Sequence, residues 1–332
     1  MTWVPQDAGT TAGFRGISVV SPTVAWASGT GGTFTRTTDG GATWRADTVP
    51  GATGLDFRDV HAVDAGTAYL MSAGEGTQSR IYKTTDGGRS WTLQYRVPGP
   101  QGFLDGMAFR DATHGIAYSD PVDGRFLVVA TEDGGAHWSR VPPEHLPAAL
   151  PGEAAFAASG TGIAVRGDHV WMGTGGGAQA RVFRSADRGR TWTAVPTPLP
   201  GGVASAGVFS VAFRDGRDGV AVGGDYQKPT EAGGNVARTE DGGLTWRPVR
   251  GAPPRGYRSG VAYVPGTRPL LLIAVGTSGS DYSVDGGESW TPIDTADYNA
   301  VAAAGPDAVW AVGPKGRIAK LLMPPRATRT RP

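Results

Sequence analysis

Thr37-Thr38-Asp39-Gly40-Gly41-Ala42-Thr43-Trp44 is the stretch on which the reading of this chain turns, because it returns five more times. The other copies begin at Thr84, Thr131, Ser185, Thr239 and Ser283 and end at Trp91, Trp138, Trp192, Trp246 and Trp290. Their aspartates, Asp39, Asp86, Asp133, Asp187, Asp241 and Asp285, lie 44–54 residues apart. A period of about 40–50 residues is that of one four-stranded propeller blade. The residue types explain themselves as turn chemistry. Paired glycines supply positive φ in the tight turn before a blade's last strand. The carboxylate accepts backbone N–H groups across that turn, as Asx turns do. The hydroxyls tie the flanking backbone, and the Trp packs between blades. The six aspartates are therefore read as structural, on the outer rim, rather than as calcium ligands or catalytic acids.

Each unit reads as a short apolar strand, a second ending in a Gly-rich turn, a third, the repeated turn, and a fourth starting at Trp. In the second unit these strands are predicted at 57–63, 66–72, 80–84 and 91–95. Six copies do not mean six blades. After the last copy, 298–303, 308–312 and 317–322 read as three more strands without a fourth. At the other end of the chain, Thr2-Trp3-Val4 reproduces the Thr-Trp start that follows the other turns. Residues 2–5 are thus expected to complete blade seven and close the ring, which removes exposed sheet edges. The fold class is all-β, a seven-bladed propeller of four-stranded blades forming a single domain over 1–323 and expected to be a monomer. Residues 324–332 read as a disordered basic tail.

Composition agrees. With 53 Gly and 25 Pro in 332 residues, the chain suits short strands and turns rather than long helices. It has no cysteine, which excludes disulfides, thiolate metal sites and a Cys nucleophile. A net charge of +1 exerts no general pull toward nucleic acid or an anionic membrane. The longest apolar run, 270–275, is too short to span a bilayer. Met1-Thr2-Trp3 leads straight into the first strand, so the protein is read as cytoplasmic or as one whose leader has been removed. The basic residues are nearly all Arg, the exceptions being Lys83, Lys228, Lys315 and Lys320. That reads as a GC-rich genome or as planar recognition of carboxylate or phosphate. Gly173–Gly177 lacks the Lys and helix of a phosphate loop, and the five histidines have no metal-ligand spacing. No cofactor is expected.

Function is expected at the axial mouth, in residues that the repeat does not explain. The lead-ins to the innermost strands read Phe14-Arg15, Phe57-Arg58-Asp59, Leu104-Asp105, Phe156-Ala157-Ala158 in blade four, Phe209-Ser210, Tyr257-Arg258 and Tyr298-Asn299. Arg15, Arg58, Asp59, Asp105, Arg258, Tyr298 and Asn299 are thereby predicted around one opening, as is Ser210. His61 is placed beside them along the channel. The loops between second and third strands add Asp120 in blade three, and Asp225 and Tyr226 in blade five, on the longest such loop. Arginines and aspartates converging on one opening suit an anionic or sugar-like ligand or a protein partner. The same residues also read as a self-paired channel lining. Arg80, Arg181 and Arg317 share one register and read as contacts between blades. Asp281 stands where Tyr82 and Phe183 stand in other blades, so a carboxylate is turned into an apolar layer and needs a partner.

The repeated turn resembles the Asp box, or BNR repeat, of sialidases, sortilin-type receptors and photosystem II assembly factors. In blade count, turn spacing and ring-closing N-terminal strand, the chain resembles photosystem II stability and assembly factors and their non-photosynthetic bacterial relatives over essentially its full length. That resemblance implies a non-enzymatic binding or assembly scaffold, with Arg15, Arg58 and Arg258 as an arginine-rich partner face. A photosystem partner is not implied. The alternative is a carbohydrate-active enzyme resembling glycoside hydrolases. A sialidase-like site would draw on Arg15, Arg58, Arg258 and Tyr298, yet Gly16 follows Arg15 where that family has Arg-Ile-Pro. A hydrolase using two carboxylates would use Asp59 and Asp105 as acid and base, which requires them to share an open pocket.

Overall fold

The computed structural model describes residues 1–323; the expected tail at 324–332 lies outside them. Twenty-eight strands form seven four-stranded antiparallel sheets. In chain order the innermost strands are Phe14–Val19, Asp56–Ala62, Leu104–Phe109, Ile163–Arg166, Ala206–Phe213, Gly260–Val264 and Ala300–Gly305. Each packs against the next, and the seventh against the first. Blade two runs Asp56–Ala62, Ala68–Ala73, Arg80–Thr84 and Thr92–Arg96.

Thr2–Gln6 pairs antiparallel with Ile318–Leu322, from Thr2 opposite Leu322 to Gln6 opposite Ile318, and is the outermost strand of blade seven. Two side chains fix it there. Trp3 donates to Ser280 Oγ at 2.9 Å in blade six. The Gln6 carbonyl oxygen accepts from Trp44 at 3.0 Å and Trp310 at 2.9 Å, joining blade one to blade seven at the seam of the ring.

The repeated turn satisfies itself. In blade one the Asp39 carboxylate accepts the Thr43 N–H at 2.9 Å and the Thr43 hydroxyl at 2.6 Å. Thr37 Oγ1 donates to the same carboxylate at 2.8 Å and accepts the Gly41 N–H at 2.9 Å. The bonds from the Thr43 hydroxyl and the neighbouring donors hold the Asp39 carboxyl down at about 2. The other five turns repeat the pattern, with the His137 imidazole taking the hydroxyl's place on Asp133 at 2.7 Å.

The core lies between blades. It is a chain of apolar clusters, each shared by adjacent sheets, with Trp26, Trp171 and Trp310 fully buried. Large residues on the second strands supply most of it. Tyr69 stacks on Phe109 with centroids 4.1 Å apart, and Trp171 on Phe213 at 3.5 Å.

Candidate functional site

Four innermost strands begin with a β-bulge, which leaves one residue out of the ladder and re-aims its side chain. The unpaired residues are Arg15 between Phe14 and Gly16, Arg58 between Phe57 and Asp59, Asp105 between Leu104 and Gly106, and Phe209 between Val208 and Ser210. The residues before the bulge, Phe14, Phe57, Leu104 and Val208, are buried between blades. This register corrects two sequence alignments. In blade five the bulged residue is Phe209, not Ser210. In blade six Arg258 takes the inter-blade register of Phe14 and Tyr298: its N–H bonds to Gly223 O of the preceding blade, as that of Tyr298 bonds to Gly276 O.

Arg258 is accordingly 1% exposed and belongs to no open mouth. Its Nε donates to Asp281 Oδ2 at 2.7 Å, and Nη1 to Tyr257 O at 2.7 Å and Ser278 Oγ at 3.0 Å. In blade two the same two registers hold Phe57 and Tyr82, packed edge to face at 5.8 Å. The apolar layer that Asp281 enters is thus bridged by an ion pair in place of an aromatic pair. Tyr298 and Asn299 are corrected likewise. Tyr298 is buried against Trp3 at 5.3 Å, and Asn299 Nδ2 donates to Phe14 O at 2.7 Å across the seam.

In blades two and five the position after the bulge latches the blade to the next, whereas in blades one and three it is a glycine. Ser210 Oγ accepts the Val261 N–H at 3.0 Å, and Asp59 Oδ2 accepts the Met107 N–H at 2.8 Å in the equivalent place. Asp59 is 4% exposed, and burial pushes its carboxyl up to about 7 against the pull of that N–H. Asp105 is 1% exposed, and burial holds it well above the usual carboxylate range, with the Asp120 charge second. Asp105 Oδ2 and the Tyr118 hydroxyl have no partner among the described residues.

Blade four explains this burial, by a feature that the sequence reading missed, and corrects another alignment: Phe156-Ala157-Ala158 is not the entry to its innermost strand, which starts only at Ile163. Between Ala154, which bridges to Gly175, and the strand starting at Ile163, residues 155–161 leave the sheet. Ala157 O accepts from Arg58 at 3.4 Å in blade two, and Thr161 Oγ1 meets Ser210 Oγ at 2.7 Å in blade five. Ser159 Oγ donates to Ser259 O at 2.7 Å in blade six. Blades two and six lie on opposite sides of blade four, so a segment that touches both crosses the axis. It plugs the mouth. Gly160 has φ +71°, and a Cβ on it would sit 2.3 Å from Asp59 Oδ1, so a side chain is excluded there. The available signal was the 54-residue spacing of Asp133 and Asp187, one of the two longest.

The plug seals Asp59 and Asp105 beneath it, so they share no open pocket of the kind an acid–base pair needs. Above it remain Arg15, Arg58, Asp120, Asp225 and Tyr226. Arg15 is half-buried, and among the described residues its guanidinium has no hydrogen-bond or ion-pair partner. Burial lowers its pKa, with the neighbouring Arg58 charge second. Arg58 pairs with Asp56 at 2.8 Å. Asp120 accepts the Ala155 N–H at 2.8 Å, anchoring the plug, and burial pushes it up to about 6. Asp225 accepts the Gln227 N–H at 2.9 Å and shapes its own loop. Tyr226 is 47% exposed and packs edge to face on Phe209, which stacks on Phe156 of the plug at 3.8 Å.

Two further expectations change. Arg80, Arg181 and Arg317 contact their own blades, through Thr77 O, Glu153 and the Tyr298 ring. His61 stacks on Phe109 at 4.9 Å, between blades rather than in the channel, and burial lowers it to about 4.

No protein-family model matches the chain, and no curated protein matches it in sequence. Solved structures match it in fold. A structure described as YCF48 bound to D1 peptide is 16% identical with a TM-score of 0.64, covering 98% of this chain and 96% of that one. YCF48 from Cyanidioschyzon merolae is 15% identical with a TM-score of 0.67, covering 97% and 99%. The WD40 β-propeller domain of Doa1 is 12% identical at a TM-score of 0.59, covering 97% and 98%. At such identities the shared property is the propeller itself.

Proposed function

We propose that this protein is a non-enzymatic binding scaffold that takes a segment of a partner protein across its plugged axial face. The observation that carries the reading is Arg15, an unpaired guanidinium held beside Arg58 on a surface with no hole beneath it. Two neighbouring arginines repel each other, and an incoming carboxylate relieves that cost while gaining planar, charge-assisted hydrogen bonds. Tyr226 and Phe156 offer apolar area beside them, the amphipathic mixture that protein interfaces favour. A surface closed by backbone suits an extended chain better than a small sugar, which is usually held in a concave site. That YCF48, which is similar in fold, has been solved bound to a D1 peptide supports the choice of a peptide.

The test is selection from a peptide-display library, followed by titration of the selected peptides against wild type, Arg15→Ala and Tyr226→Ala. Each variant is expected to weaken binding at least about tenfold with an unchanged melting temperature. Selected peptides that bind both variants as tightly as wild type would refute this face as the site. Exclusive capture of acidic glycans would favour the carbohydrate reading instead.

A further inference from the structure

Departures from the repeat also converge away from the axis, at the junction of blades three and four. At neighbouring junctions a large second-strand side chain fills the space beside the next blade's repeated turn. Tyr69 does so beside Gly135, and Trp171 beside Gly243. Blade three carries Ile116 in that register, against Gly189. The inner-strand partners change too. Where Phe109 stacks on Tyr69 and Phe213 on Trp171, blade four has the smaller Val165 in that register, and the next residue, Arg166, turns its Nε to Phe213 O at 2.9 Å. The result is a cavity of about 320 Å³ floored by Ile116, Val141, Val165 and Val170, a volume within the range of small-molecule sites.

A second departure stands on its rim. The first glycine of the repeated turn has φ between +69° and +76° in five copies, at Gly40, Gly87, Gly134, Gly242 and Gly286. In blade four that position is Arg188, which adopts φ +70° all the same. A non-glycine residue in this region is disfavoured, and an observed outlier of this kind points to use rather than accident. Arg110, Arg140 and Arg190 join Arg188 around the opening, with Glu132 as the acidic residue among the lining groups. Arg110 pairs with Asp111 at 3.4 Å and Arg188 with Asp168 at 2.7 Å, leaving Arg140 and Arg190 without an ion pair among the described residues. His145, on a short 3-10 turn inserted after blade three, closes one side by bonding to Arg190 O at 3.0 Å.

We infer that this inter-blade cavity is a binding site for a small amphipathic carboxylate, its apolar body on the valine–isoleucine floor and its carboxylate among the rim arginines. The paired N–H fork of Arg suits a planar carboxylate, and the floor excludes a purely hydrophilic anion. The site is independent of the axial face, and its test leaves that face untouched.

Benzoate is the probe, titrated by calorimetry or ligand-observed NMR, with inorganic phosphate as the comparison anion. Wild type is expected to bind benzoate saturably and at least tenfold more tightly than phosphate. Ile116→Trp restores the bulk found in other blades and is expected to abolish binding while keeping the melting temperature. Arg140→Ala with Arg190→Ala is a second variant that leaves the core alone, and it is expected to weaken benzoate at least tenfold. No saturable binding by wild type up to about 10 mM benzoate overturns the inference. So does unchanged affinity in either folded variant, or phosphate binding as tightly as benzoate.

Discussion

Replacing Asp59 by Asn tests the plug and the latch together, through the dependence of stability on pH. The carboxyl titrates at about 7 in the folded protein against 3.8 for an exposed aspartate. Protons are therefore held by the folded state and not by the unfolded chain between those values. With the folded pKa raised, the stabilising contribution is complete below about pH 4 and is lost as pH rises through about 7. Integrating the two titrations gives a loss of about 2–3 kcal/mol between about pH 5 and pH 8. For a chain of this size that is about 5 °C in melting temperature. Asparagine keeps an oxygen for the Met107 N–H and has nothing to ionise, so its melting temperature should lack this component. Both proteins would be melted by calorimetry across that pH range and the difference curve taken, which cancels Asp105, Asp120 and every other group common to both. A difference that stays flat from about pH 5 to pH 8 would refute the sealed carboxyl.

Three other perturbations separate the parts of the structure. Gly160→Ala forces a side chain into a left-handed backbone and against the Asp59 carboxylate, so it should destabilise by about 1–3 kcal/mol in denaturant melts. It should also open the plug to hydrogen exchange. Deleting residues 1–6 removes the outer strand of blade seven and the Gln6 link across the seam; the melting temperature should drop by more than about 10 °C, and an unchanged value would contradict ring closure. Asp281→Ala strands the Arg258 charge in the core and should cost about 3–5 kcal/mol. The double change Arg258→Phe, Asp281→Tyr, which copies blade two, should recover most of that loss in urea titrations.

The blade count, the seam and the third strands could be read directly because one motif repeats. A register seen six times needs no propensity argument, and Thr2-Trp3 could be matched to its missing partner by pattern alone. Lead-in alignments failed where the pattern was weakest. Blade five offers Val208-Phe209-Ser210 and blade six Tyr257-Arg258-Ser259, and choosing the aromatic as the anchor shifted both by one residue. A one-residue slip moves a side chain to the other face. That slip put Arg258 at a mouth when it lies between blades. The need of Asp281 for a partner was legible, since a carboxylate in an aromatic register must be compensated. That the partner is Arg258 depends on the same register. The plug was not legible, because residues 155–161 carry no motif and their contacts reach four other blades.

The bulged positions say why function in this ring must be sought residue by residue. Before the bulge the chain needs an apolar side chain to fill a junction, and Phe14, Phe57, Leu104 and Val208 comply. After it the chain needs something small or a latch, and Gly16, Asp59, Gly106 and Ser210 comply. A side chain at Gly16 would meet the Val60 N–H at 2.9 Å, the place that Asp59 and Ser210 use in their own blades. Between these constraints, Arg15, Arg58, Asp105 and Phe209 share no chemistry at all. The bulge frees that one side chain from both faces of its sheet, so neither packing nor latching selects its identity. Asp105 and Phe209 are claimed by the plug, and Arg58 is partly claimed through Ala157 O and Asp56. Arg15 is claimed by nothing among the described residues, and a half-buried guanidinium without a partner is costly to keep unless something outside them completes it.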